Sequence, residues 1–118
     1  MVAKSGDALS IRIDLAGGGR VGPGKIAVLE EIARTGSISA AGRALGMSYR
    51  RTWNLVEELN TILGRPVVET SAGGSGGGGA LLTDAGRAVI ACYRAIEADS
   101  TAAARKHLAT LSHVCTRR

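Results

Sequence analysis

The sequence predicts a mainly α-helical fold with an N-terminal strand, a small β-hairpin and one long C-terminal helix. Three patterns predict it. Two short helical segments meet at Gly46-Met47-Ser48, a stop and a cap with one residue between them. A glycine tract, Ser71 to Gly79, lies between two strand-like runs. A helical pattern then continues from Asp84 to about Leu111.

Each element follows from local chemistry. Leu9 to Leu15 alternates apolar and polar residues and ends at Ala16-Gly-Gly-Gly19, which predicts a half-buried strand over 9–15. After Pro23, Ile26, Leu29, Ile32 and Ala33 fall at helical spacing up to Thr35-Gly36, giving a helix over 24–34. Ser37 caps a short helix over 38–45, whose Ile38, Ala41 and Leu45 share a face. Ser48 caps a longer helix over 49–63 with a buried stripe of Trp53, Val56, Leu59 and Leu63. Two helices joined by so tight a turn must cross steeply, which is the helix-turn-helix arrangement. Pro66 to Thr70 and Ala80 to Thr83 then form a hairpin over 66–83 with a long, mobile glycine tip, the wing of a winged helix-turn-helix. Thr83 caps the last helix, 84–111, a rod of about 40 Å. That is too long for one small domain to cover. Its Ala85, Val89, Cys92, Ile96 and Ala103 lie near one face at helix-pairing spacing, so a second copy is expected there. The residues through Arg117 and Arg118 are expected to fray.

Composition narrows the function. The chain of 118 residues is read as a single domain, 1–118, with 45% hydrophobic residues and only Trp53, Tyr49 and Tyr93 as aromatics. Its core is therefore aliphatic and helix-built. A formal charge of +5 fits an anionic partner. Cys92 and Cys115 are far apart and follow no metal spacing, which points to a reducing cytoplasm. No signal peptide and no apolar run long enough to span a membrane is visible.

The candidate reading head is the start of the helix at Ser48. Opposite its apolar stripe lie Arg50, Arg51, Asn54 and Glu58, with Tyr49 in the first turn, and Glu57 and Glu58 are expected to face away or lie at the rim, since a carboxylate is repelled by phosphate. In helix-turn-helix proteins this end meets base edges, and Arg and Asn match the bidentate patterns of guanine and adenine. Tyr49 is expected to pack its ring under the preceding helix and reach a phosphate with its hydroxyl. Trp53 is expected in the core rather than as an intercalating wedge. Lys25, Ser37, Arg65, Ser75 and Arg87 are secondary candidates for backbone and wing contacts.

Other chemistry finds no support. The glycine tract is followed by no Gly-Lys-Ser/Thr and opens no helix, so a phosphate-binding loop is not expected. His107 and His113 have no completing ligands, and no catalytic trio or carboxylate pair stands out. Neither metal, cofactor nor catalytic residue is expected.

The run Gly36-Ser-Ile-Ser-Ala-Ala-Gly-Arg-Ala-Leu-Gly-Met-Ser-Tyr-Arg-Arg-Thr-Trp-Asn-Leu-Val-Glu-Glu-Leu-Asn60, with the glycine-rich wing and Leu82-Thr-Asp-Ala-Gly86, resembles the N-terminal DNA-binding domain of ModE-type molybdate-responsive regulators. That domain is itself similar to the LysR-type winged helix, and the match spans residues 9 to 111. The resemblance implies a dimer joined through the first strand region and the last helix. It also implies Ser48 to Asn54 in a major groove, and control of molybdenum-related genes. Full-length members carry C-terminal molybdate-binding domains that these 118 residues do not include. The expected partners are thus a two-fold related duplex operator and a second copy of the chain. The alternative is an interaction module that pairs with a full-length molybdate-sensing paralogue.

Overall fold

The structure, a computed structural model, describes residues 9–74 and 77–116. Its elements are β1 (Ile13–Asp14), β2 (Arg20–Val21), α1 (Pro23–Thr35), α2 (Ile38–Ala44), α3 (Tyr49–Leu63), β3 (Val68–Gly74), β4 (Gly77–Leu82) and α4 (Asp84–Thr116). The fold is the expected one, mainly helical with a small wing and a long last helix.

Three elements differ from expectation. The first strand shrinks to Ile13–Asp14 and pairs antiparallel with a second strand, Arg20–Val21, that was not foreseen. Gly17 to Gly19 thus turn a hairpin instead of ending a lone strand. The wing strands run into the glycine tract read as a loop, with Val68 opposite Leu82 and Ser71 opposite Gly79. Glycine permits this because ladder bonds are made by backbone alone. The last helix continues past 111 to Thr116, and Arg117 and Arg118 lie outside the described residues.

Helix α1 is the centre of the domain, touching α2, α3, α4 and β4. It therefore buries a broad arc, Ile26, Val28, Leu29 and Ile32, and Ala33 is exposed, contrary to the expected stripe. In α3 the fully covered residues are Thr52, Leu55, Val56 and Leu59, with Trp53 and Leu63 at the margin. Thr52 tolerates burial because its hydroxyl donates to the Ser48 carbonyl at 2.8 Å. A Cβ on Gly42 would collide with the Thr52 hydroxyl, so this glycine sets how closely α2 crosses α3.

The wing is tied to this body by backbone. Ala80 N–H donates to the Gly36 carbonyl at 2.9 Å, in the turn between α1 and α2. Val67 N–H donates to Asn60 Oδ1 at 2.8 Å, joining the wing's root to α3. Thr83 Oγ1 accepts from Gly86 N–H at 3.1 Å and so caps α4. Gly86 itself lies against the Val67 carbonyl, where a Cβ has no room.

Helix α4 reaches the core only at its start, through Tyr93, Val89 and Ile90. Tyr93 is 2% exposed, and its hydroxyl donates to the Ile11 carbonyl at 2.6 Å, holding the N-terminal segment. Burial pushes its phenol pKa up. Arg94 grips Glu30 of α1 through two nitrogens and also binds Glu97, so α1 and α4 are fixed by a forked ion pair. The helix has 33 residues and extends about 50 Å at 1.5 Å per residue.

Candidate nucleic-acid interface

The turn before α3 is built to present its first residues. Ser48 has extended backbone and accepts from Arg51 N–H at 3.0 Å, satisfying one unpaired donor of the helix start. Ser37 does the same for α2, accepting from Ala40 N–H at 3.0 Å. Tyr49, Arg50, Arg51 and Asn54 are all exposed on this frame. A stably started helix therefore offers two guanidinium groups, an amide and a phenol to solvent within two turns. The helix dipole leaves the same end partly positive.

Tyr49 departs from its expected place. Its ring is 58% exposed instead of covered by α2, and its oxygen accepts the Trp53 indole N–H at 2.6 Å. The core position expected for Trp53 is only partial, since its ring packs against the core from the rim.

The secondary candidates scatter. Lys25 is not a solvent-facing cation: its side chain is 15% exposed and its ammonium binds Glu58 of α3 at 3.1 Å. Both line an open groove of about 810 Å³ beside the β1–β2 hairpin, together with Asn54, Glu57 and Ile62. Glu58 thus shares this groove with Asn54. Arg65 and Arg87 are brought together along a second groove of about 430 Å³ at the root of the wing, with Glu69 and Asp84. Arg87 pairs with Asp84 and donates to the Leu82 carbonyl at 2.9 Å. Ser75 lies outside the described residues.

On α4, Cys92, Ile96 and Ala103 are exposed, whereas Val89 is partly buried against the chain's own core. The exposed apolar surface also takes in Leu111 and Val114, 58% and 60% exposed, the second of which lies beyond the end of the helix expected from sequence. Both cysteines are free thiols. Among the described residues no group of His, Cys, Asp or Glu is placed to hold a metal ion, and no helix is long and apolar enough to cross a membrane.

Sequence reasoning missed two contributors, Arg12 and Ser71, and it read Arg20 only as a possible phosphate contact. Arg12 and Arg20 flank Asp14 on the hairpin, at 3.5 and 3.3 Å. Ser71 accepts from Gly79 N–H across the wing at 3.1 Å. Only the flanking of Gly17 to Gly19 by short apolar-polar pairs could have revealed the hairpin.

Similar folds occur among solved structures. One is the CbnR DNA-binding domain in complex with DNA, with a TM-score of 0.55 and 23% identity over 73% of this chain and 94% of that one. Another is full-length LysG from Corynebacterium glutamicum with bound Arg, with a TM-score of 0.53 and 26% identity over 76% and 30%. In sequence, the chain is 52% identical over 81 residues to the molybdenum-pterin-binding protein MopB of Rhodobacter capsulatus, covering 69% of this chain and 30% of that protein. It is 42% identical over 94 residues to MopA of the same organism, covering 80% and 36%. It is 41% identical over 71 residues to the DNA-binding transcriptional dual regulator ModE of Escherichia coli (strain K12), covering 60% and 27%. The chain spans about a third of the length of these relatives or less. The model of bacterial regulatory helix-turn-helix proteins of the lysR family matches residues 24–87, from α1 through the wing to the first turn of α4, and the chain belongs to that family.

Proposed function

We infer that this DNA-binding regulatory module acts as a homodimer that reads a two-fold related duplex operator, in the control of molybdenum-related genes. One observation carries the reading: Tyr49, Arg50, Arg51 and Asn54 stand exposed together on the first two turns of a capped helix in a lysR-family fold. Arg50, Arg51 and Asn54 read base edges, and Ser48 with Tyr49 serves the backbone. Arg65 and Arg87 at the wing root, and Ser37 at the start of α2, add sequence-independent contacts. The wing around Ser75 approaches the adjacent phosphates. Lys25 is dropped from this set, because Glu58 already holds its charge. The α4 face of Cys92, Ile96 and Ala103 meets its counterpart in a second copy, with Val89 at its edge. The molybdenum link rests on the names of the relatives, and the site of action is the cytoplasm.

The test compares purified wild type with Arg50→Ala and Asn54→Ala on a selected duplex and on random duplex. Each variant is expected to lose about 1–3 kcal/mol of preference for the selected site. Equal losses on both duplexes would overturn the base-reading assignment.

The exposed apolar length of α4 also favours a second reading, an interaction module that pairs with a full-length molybdate-sensing relative. Co-migration of the two proteins in gel filtration, with no duplex shifted by the chain alone, would replace the first reading by the second.

A further inference from the structure

Trp53 is the one tryptophan of the chain, and its side chain links the core to the reading head. Its ring packs against the core, while its Nε1–H donates to Tyr49 Oη one helical turn earlier at 2.6 Å. Tyr49 is otherwise 58% exposed, beside Arg50 and Arg51 at the start of α3.

The chemistry of this pair is asymmetric. An indole N–H only donates, whereas a phenol oxygen accepts and also carries one proton to give. With Trp53 occupying an acceptor position on the oxygen, the phenol is held in place and its proton remains for a group outside the protein. Accepting one hydrogen bond also polarises the O–H and strengthens the bond it gives. An exposed tyrosine without such a partner loses rotamer freedom on binding, and here that loss has already occurred in the folded chain. The anionic oxygens of a duplex backbone are the acceptors that gain most from such a donor, and the partly positive helix start draws them to this turn.

We propose that Trp53 is a positioning residue for DNA binding, holding the Tyr49 hydroxyl as a preset donor to a phosphate oxygen. This rests on the DNA-reading role of α3 inferred above. Trp53 itself touches no nucleic acid.

A double-mutant cycle tests it. Dissociation constants are measured for wild type, Tyr49→Phe, Trp53→Phe and the double variant, on a duplex selected from a random pool and on a scrambled duplex. Tyr49→Phe is expected to weaken both complexes alike by about ten- to a hundredfold, the loss of one hydrogen bond to a charged acceptor. Trp53→Phe weakens the wild type by a similar factor and the Tyr49→Phe protein hardly at all. Tyr49→Phe leaves the core untouched and shifts the emission of Trp53, whose indole N–H has lost its acceptor. Losses that multiply in the double variant would show a separate packing role for Trp53 and overturn the proposal. A Tyr49→Phe loss confined to the selected duplex would make the acceptor a base and overturn it too. Wild type that binds while Tyr49→Phe changes nothing refutes this inference alone; wild type that binds no duplex refutes the reading of α3 on which it rests.

Discussion

Single side chains decide how the start of α3 is held and how the long helix is aimed. Ser48 starts α3, Thr52 returns its hydroxyl to the Ser48 carbonyl, and Trp53 holds Tyr49, so the exposed residues project from an ordered turn. At the other side of α1, Glu30 and Arg94 fix the direction of α4. The Arg94 guanidinium, hydrogen-bonded to Glu30, holds that carboxyl below its ordinary value of 4.5 despite some opposing burial. A depressed carboxyl adds stability that is present above the unfolded value and is lost as pH falls through the folded one. Both side chains are more than a third exposed, so solvent screening limits the gain to a few tenths up to about 1 kcal/mol. Denaturant unfolding across a pH series should therefore show wild type more stable than Glu30→Gln near neutrality. The gap should shrink below about pH 4.5. A gap independent of pH would contradict the assignment.

At the scale of elements, close approaches of backbone set the geometry. Gly42 lets α2 cross α3, with the Thr52 hydroxyl where a Cβ would stand and the Met47 carbonyl 3.2 Å from that point. Gly42→Ala should cost about 1–3 kcal/mol by overpacking, since Thr52 is buried and its rotamer is engaged with Ser48. Thermal unfolding measures this, and an unchanged midpoint would mean the crossing is looser than described. Sequence alone made the helix-turn-helix legible because caps and stops are local: Ser37, Gly46 and Ser48 announce their roles without tertiary context. The face that α3 buries was harder to read, because Thr52 is polar by composition and becomes coverable only through its bond to Ser48. The β1–β2 hairpin was missed for a related reason. Two-residue strands carry almost no periodicity, and this pair is held by packing near Ile62 and by Tyr93 reaching Ile11. The partner of Lys25 was likewise invisible, since Glu58 lies 33 positions away and meets it only in the folded chain. The extension of the wing strands came from backbone pairing, to which side-chain patterns give no clue.

For the whole molecule, the shape argues for assembly. Its principal extents are 59 × 30 × 21 Å, and the core residues supplied by α4 all lie within its first ten positions. The remainder of the helix carries Ile96, Leu111 and Val114 to solvent, an apolar exposure that a partner helix would cover. The chain belongs to a family of bacterial regulatory helix-turn-helix proteins rather than of enzymes. A dimer joined through α4 presents two copies of α3, and two-fold symmetry in the protein demands two-fold related half-sites in the duplex. The most direct test is in vitro selection of duplexes bound by the purified chain, sequenced after several rounds. The account predicts enrichment of inverted half-sites whose centres lie about 10 base pairs, or a multiple of that, apart. Enrichment of a lone asymmetric site, or none over the starting pool, would contradict it.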